Sequence, residues 1–344
     1  MAAWHTCGVA MLLVANAGGH LEELYQLAPR FVAPRTEVVW VTQDTPQSRA
    51  LLAGEQRLFA PPAPPRDAGA TLAVLRFARR VLASAEWTDV VSTGSLTAVP
   101  FLTLARSQGV RCHFVESVAR VMGPSLSAKI LERVPGVRCY SPYRWWRRPG
   151  WRYRGSVLDG YAAVPAGTRG TELGTRKIRR VVVTLGTSGF GFRRVLLRLR
   201  EVLPDDCEVY WQTGSTDVAG LGIEAHAMVE APELASRMAE ADLVVAHAGA
   251  GSVLAAMRAG RSPLLVPRLA RYGEHVDDHQ VEICREMERR GLAVSCDAGA
   301  IDGHVLLEAA ARTVRAAPHP PPFELDDVDP GLVRASRKPW RLSA

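Results

Sequence analysis

The chain is predicted to be an α/β protein built on two parallel sheets, and three observations carry that expectation. Its strands read as continuous apolar runs rather than alternating ones, the pattern of strands buried on both faces. Each run is followed by an amphipathic helical stretch, the alternation that covers a parallel sheet with helices. The pattern breaks between about residues 141 and 177 and then begins again, so the 344 residues hold two such units. That length is ample for two cores.

GVAMLLVA (8–15) is the first buried strand, and NAGGHLEELYQLA turns from it into a helix. EVVWVT (37–42) is a strand, GATLAVLRFARRVLASA (69–85) a helix, and DVVSTG (89–94) a strand. SLTAVPFLTLAR (95–106) is a helix and VRCHFVES (110–117) another strand. From Ser141 to about Lys177, Pro, Gly, Arg and aromatic residues replace the pattern. RRVVVTLGT (179–187) restarts it with a strand and a glycine turn, and a helix follows from about Phe190. CEVYWQTG (207–214) and ADLVVAHAGAGS (241–252) are strands opening into loops. VLAAMRAG (253–260) is a helix, PLLVP (263–267) a strand, and 274–290 a helix, before the hinge APHPPP (317–322). The expected domains are 1–155 and 156–322, with a polar tail at 323–344.

Composition narrows the class. The chain is 47% hydrophobic and 22% charged, as in soluble globular proteins. Its net charge of +7 rests on arginine, with Lys only at 129, 177 and 338. Such a balance suits an anionic partner: nucleic acid, phosphate-bearing lipid or nucleotide. The six cysteines are scattered with no C-x-x-C pair, which argues against a disulfide or zinc framework and points to a reducing cytosol. CGVAMLLVA is far short of the ~20 residues of a spanning helix and lacks a basic n-region. A cytosolic protein that touches a membrane is expected.

In open parallel sheets ligands bind at the carboxyl ends of strands, where this chain carries its glycines. GTSGFGF (186–192) and HAGAGS (247–252) both lie between a strand and a helix start. Small residues there let backbone N–H groups approach an anion, and a helix N-terminus favours negative charge. Neither loop ends in the G-K-[ST] of a P-loop, and no G-x-G-x-x-G follows the first strand, which disfavours a dehydrogenase. Two such loops in one half-domain point to a diphosphate-bearing ligand. NAGGH (16–20) ends the first strand and sets His20 at a helix start, either as a neutral imidazole able to accept a proton or as a cap on its own helix.

Two further stretches are conspicuous. SPYRWWRRPGWRYRG (141–155) mixes Arg144, Arg147, Arg148, Arg152 and Arg154 with Trp145, Trp146, Trp151 and Tyr153. It reads as a packed connector with membrane contact as the functional alternative; no nucleic-acid module accompanies it. GEHVDDHQVE (273–282) holds six possible metal ligands, among them His275 and His279 at i, i+4. Glu274 precedes the first histidine instead of following it as in H-E-x-x-H. Carboxylates, amides and imidazoles entering a helix also suit vicinal hydroxyls. The reading is a sugar clamp, with no metal.

Six ordered motifs then carry a resemblance: GGHLEEL, STGSLTAVP, FVESVARV, VTLGTSGFGFRR, HAGAGS and GEHVDDHQ. Over roughly residues 8–295 the chain resembles bacterial exopolysaccharide and capsule glycosyltransferases. These correspond to a fusion of the two subunits of the dolichol-linked N-acetylglucosaminyltransferase. More distantly it is similar to the peptidoglycan enzyme that glycosylates undecaprenyl-linked muropeptide. The resemblance implies a GT-B fold, two Rossmann-like domains facing across a cleft, with a lipid-linked acceptor on the first and a UDP-sugar on the second. It implies inversion at the anomeric centre and no metal or other cofactor. It makes His20 the candidate base, with Glu116 as runner-up. Gly18, Gly19, Gly94, Ser95 and Ser117 fall on the acceptor side. Gly186, Thr187, Ser188, Gly249, Ala250, Gly251 and Ser252 fall on the donor phosphates. Glu274, His275, Asp278, His279 and Gln280 fall on the donor sugar.

Two positions depart from the family pattern. Ala256 stands where a carboxylate commonly holds the ribose, which leaves that task to Glu274. Ser188 replaces a histidine in its loop. The expected activity is transfer from a UDP-sugar to a polyprenyl-diphosphate-linked saccharide during cell-surface polysaccharide assembly. The protein would sit peripherally on the anionic inner face of the cell membrane. The alternatives are a sugar-nucleotide epimerase of the same fold and a non-catalytic partner subunit.

Overall fold

The computed structural model describes residues 10–62, 68–164, 177–187 and 189–326; Ser188, one of the expected donor contacts, lies outside them. The chain divides into two units. The first takes residues up to 117, then 122–157 and the chain from 321 onward; the second takes 118–121 and 158–320.

In the first unit seven strands form one sheet: β1 (Ala10–Ala15), β2 (Glu37–Gln43), β3 (Arg57–Ala60), β4 (Asp89–Gly94), β5 (Arg111–Val115), β6 (Val137–Tyr140) and β7 (Trp151–Arg152). All pairings are parallel, in the order β3-β2-β1-β4-β5-β6-β7. β1 is buried along its whole length. That is why AMLLVA is apolar at every position: helices cover both faces of the sheet. Leu12, Val14, Val41, Val90, Phe101 and Phe114 lie in one core cluster.

The second unit repeats the plan. After β8 (Tyr161–Val164) come β9 (Arg180–Thr184), β10 (Glu208–Gln212), β11 (Ala225–His226), β12 (Leu243–His247), β13 (Leu264–Val266) and β14 (Val294–Ser295), with β15 (Thr313–Ala316) last. The sheet runs β11-β10-β9-β12-β13-β14, all parallel, while β15 pairs antiparallel with β8. Val181, Val183, Phe192, Leu199, Val245 and Ile301 pack in its core. In both sheets the strand order reverses once, between β1 and β4 and between β9 and β12. Such a switch point opens a crevice at the strand ends, because the two loops there leave in opposite directions.

Short elements escaped the sequence reading. RLFA and VRCY make the four-residue strands β3 and β6, too brief for a period to show. Helices at Pro46–Leu51, Leu126–Leu131, Ala231–Glu240 and Gly303–Ala311 were also missed. The helix expected over 274–290 begins only at His279.

The Arg/aromatic stretch is largely folded into the first unit. Trp151 sits in β7, Trp146 stacks edge-on against it, and Glu132 accepts from Arg148 and from Trp151 Nε1. Residues 323–326 likewise differ from the expected polar tail. Phe323 is buried against Phe31 and Tyr140, and Asp326 pairs with Arg152 and Arg154. Phe323 and Leu325 anchor this segment, too few residues for a hydrophobic pattern to reveal.

Candidate functional site

In the first unit the candidate residues gather at the β1/β4 switch point. Gly18 caps the helix Gly19–Leu27 with φ 97° and ψ −143°, a conformation that side chains resist. His20 does not cap that helix. Its Nδ1 donates to the Thr93 carbonyl at 2.8 Å, and Thr93 Oγ1 donates to the His20 carbonyl at 2.7 Å. A carbonyl can only accept, so Nδ1 carries the hydrogen and a neutral ring keeps its lone pair on Nε2.

A register shift explains why Thr93 is available. Val14 lies opposite Ser92 but Ala15 opposite Gly94, so Thr93 is skipped in the ladder and can turn to the histidine. Gly94, at φ 118°, lies against the ring: a Cβ there would stand 3.2 Å from His20 Cε1. Ser95 follows at φ 68°, one of two non-glycine residues with positive φ among the described residues. Strained backbone of this kind concentrates where position matters.

The glycine loop itself is not an open anion cradle. Ala17 N–H donates to Gln43 Oε1 and Gly18 N–H to Gln47 Oε1. Gln43 also donates to Thr97, whose N–H reaches Asn16 Oδ1. Gln43, Gln47 and Thr97 therefore shape the loop, a role that nothing in their local sequence signals.

Glu116, the runner-up base, has a different task. It is buried, and its two oxygens accept the N–H groups of Ser117 at 3.1 Å and Ser125 at 2.7 Å. That staples the 116–125 loop. Ser117 Oγ donates to the buried Glu23 at 2.5 Å, so its hydrogen is directed inward and not toward an acceptor.

In the second unit the β9/β12 switch point is built around His247, which the sequence reading passed over. Its ring fills the space in which both Gly186 and Gly249 would carry a Cβ, and Gly214 leaves room for the Gly186 carbonyl. Glycine is required at these three places by close approach. Burial, and then the nearby Arg268 charge, push His247 down to about 3, so the ring is neutral. Its Nδ1 is buried and has no hydrogen-bond partner among the described residues. Beside it the helix Ala250–Arg258 starts at Gly249 with no side-chain cap. Its first N–H groups have no partner within the helix and carry the positive end of its dipole. Thr187 is exposed on the loop from β9.

Buried polar side chains hold that loop. Arg268, 1% exposed, donates to the carbonyls of Leu185, Phe190 and Gly191. Gln212 Nε2 donates to the Gly186 carbonyl at 2.8 Å. The helix then starts at Arg193 behind the buried Phe192, three residues later than the sequence suggested.

Residues 274–278 form a turn before the helix that begins at His279, so His275 and His279 do not share a helical face. Glu274 is engaged by the protein itself. It is buried, receives Arg194 through both oxygens at 2.7 and 3.1 Å, and accepts from Leu269 N–H. Asp278 accepts from Ala270 N–H at 2.8 Å, which spends one oxygen on the turn. Gln280 Oε1 accepts from Arg268 N–H, which leaves its Nε2 to donate. His275, Asp277 and His279 come together on one another. The buried Ala256 holds no polar group at all.

Two parallel sheets in Rossmann strand order, with glycine loops at both switch points, define an α/β fold of the GT-B class. Residues 180–309 match the glycosyltransferase family 28 C-terminal domain. The chain is 43% identical to "UDP-N-acetylglucosamine transferase subunit ALG13" of Yarrowia lipolytica over 70 residues, 20% of this chain and 34% of that protein. It is 26% identical to "UDP-N-acetylglucosamine--N-acetylmuramyl-(pentapeptide) pyrophosphoryl-undecaprenol N-acetylglucosamine transferase" of Magnetococcus marinus, over 56% of this chain and 54% of that one. The chain thus spans about a third and about half the length of these curated relatives. Among solved structures, Acinetobacter baumannii MurG has the same fold, with a TM-score of 0.53 at 20% identity over 88% of this chain and 89% of that chain.

Proposed function

We propose that the protein is an inverting glycosyltransferase that moves a sugar from a UDP-sugar to a polyprenyl-diphosphate-linked saccharide, in exopolysaccharide or capsule assembly. The observation that carries this reading is the β9/β12 switch point. There two glycine loops close on a neutral histidine beside an uncapped helix N-terminus, an arrangement suited to a diphosphate. The family 28 match spans both loops. The names of the two relatives supply the donor and acceptor classes: a UDP-linked N-acetyl sugar and a pyrophosphoryl-polyprenol.

In this reading His20 Nε2 takes the proton from the acceptor hydroxyl, while Nδ1 stays bound to Thr93 and fixes the ring. The hydroxyl oxygen bonds to the anomeric carbon as the bond from that carbon to the UDP oxygen breaks. The electron pair leaves on the diphosphate, stabilised by helix N–H groups without a metal. Gln280 Nε2 donates to a sugar hydroxyl, and Gly94 and Ser95 shape the acceptor side. Peripheral membrane contact belongs to Met122, Leu126 and Ile130, all exposed, with the exposed Lys129 and Arg133 beside them. Apolar tips with basic neighbours suit an anionic interface.

The test incubates the protein with a panel of UDP-sugars and a membrane lipid extract, and follows UDP release. Release that requires the lipid fraction supports transfer. Release or epimerised donor without lipid would select the epimerase instead, and UDP binding without turnover the non-catalytic role.

A further inference from the structure

One cluster in the second unit is left over by that reading. Asp277 Oδ1 faces the Nδ1 atoms of both neighbouring histidines: His275 at 3.3 Å and His279 in a short hydrogen bond. The donor atoms of the three residues all lie within 4.8 Å of one another. The rings meet edge to face with centroids 4.6 Å apart, and Phe190 packs against His275.

The hydrogen-bond pattern inside the cluster conflicts with itself. Asp277 N–H points at His275 Nδ1 at 3.4 Å, which asks for a lone pair on that nitrogen. The same nitrogen faces a carboxylate oxygen, which also bears lone pairs. A cation between them would take the lone pairs of the ring nitrogen and the carboxylate oxygen, and the long Asp277 N–H contact would give way.

We propose that His275, Asp277 and His279 bind a transition-metal cation such as Zn²⁺. Two imidazoles and one carboxylate select Zn²⁺, Co²⁺ or Ni²⁺ over the oxygen-seeking Mg²⁺ and Ca²⁺. A tetrahedral ion about 2.1 Å from each donor sets the donors roughly 3.4 Å apart. The His275–Asp277 separation already has that value. The His279 hydrogen bond opens to it as the metal replaces the hydrogen, which passes to Nε2 or to solvent. Arg120, in the 118–121 segment that groups with this unit, holds Asp277 Oδ2 at 3.4 Å. This outer contact fixes the carboxylate and directs Oδ1 to the ion. The side chains are 14–43% exposed, so water can complete the coordination. The ion would clamp the turn that precedes Gln280, and the proposal stands independently of the transfer reading.

The experiment titrates the untagged full chain, freed of metal, with Co²⁺ and then Zn²⁺, following visible d–d absorption and the thermal midpoint. One Co²⁺ per chain is expected, displaced by Zn²⁺, with a rise in melting temperature as the folded state alone binds. His275→Ala and His279→Ala should each weaken binding more than about 100-fold, beyond the loss an outer contact causes. His304→Ala, on an exposed helix position, should leave it unchanged. Asp277→Asn preserves shape and serves if a histidine variant fails to fold. Absence of saturable binding, equal binding in all variants, or a preference for Mg²⁺ overturns the site.

Discussion

The His247 imidazole occupies the space that a Cβ on Gly186 would need. A residue at the end of β12 thereby dictates the residue type after β9, and the two loops are locked to each other. Gly186 also has φ 69°, where an alanine costs about 1–2 kcal/mol by itself.

Gly186→Ala should therefore weaken UDP binding at least about tenfold, since 1.4 kcal/mol is a factor of ten. Calorimetric titration with UDP measures it. Gly303→Ala, where nothing lies within 4 Å of the added Cβ, is the control. Unchanged UDP affinity in Gly186→Ala would remove these loops from the donor site.

His20→Ala should lower turnover by about 10²–10⁴-fold, the usual contribution of a positioned base, with UDP affinity intact. Glu116→Gln should act on stability, because its new NH₂ group faces a backbone N–H at a cost of about 1–3 kcal/mol. Chemical denaturation and the pH–rate profile separate the two effects. If His20→Ala retains turnover while Glu116→Gln loses it without loss of stability, the roles are exchanged.

Arg194→Ala leaves the buried Glu274 carboxylate without its bidentate partner. Removing one member of such a pair costs about 3–5 kcal/mol. The melting temperature should fall in Arg194→Ala and in Glu274→Gln alike, while UDP affinity measured well below the transition changes little. A selective loss of UDP affinity in Glu274→Gln would restore it as a ribose ligand.

Asp89 predicts an acid-labile first unit. Burial acts to raise its pKa, but hydrogen bonds from His113 and Arg111 and their charges prevail and hold it at about 2, against an ordinary 3.8. A depressed carboxylate stabilises the fold above its unfolded pKa. That contribution, about 2 kcal/mol, is present above about pH 4 and disappears as the pH falls toward 2. Urea denaturation across that range should show it, and Asp89→Asn should flatten the dependence.

Leu126→Asp combined with Ile130→Asp should abolish sedimentation with anionic vesicles. Wild-type binding should weaken as salt rises, because exposed charges are screened beyond about 8 Å at physiological strength. Equal vesicle binding by the double variant would move the contact elsewhere on the protein.

The fold was legible because burial on both faces leaves a mark at every position of a strand. AMLLVA, DVVSTG and RVVVT are runs of that kind, and each is followed by its helix. Glycine loops after strands were legible too, since close approach and positive φ admit few other residues. The backbone roles of Gly18, Gly94 and Gly186 could be expected from their places alone.

What a polar side chain does was decided elsewhere. Glu116 and Glu274 read as functional carboxylates, yet their oxygens meet N–H groups and a guanidinium supplied by Ser125, Leu269 and Arg194. Thr93 lies inside β4 and His247 ends β12, and neither was singled out by its own position; a skipped residue in the β1–β4 ladder and the contact with Gly186 give each a purpose. Local sequence determines where the chain is apolar, where it turns and which backbone shapes it can take, because those follow from burial period and sterics. It does not determine which partner a carboxylate or an imidazole meets. A hydrogen bond or ion pair forms between atoms brought within about 3 Å, and residues as distant as Arg194 and Glu274 are brought that close only by the packed sheets.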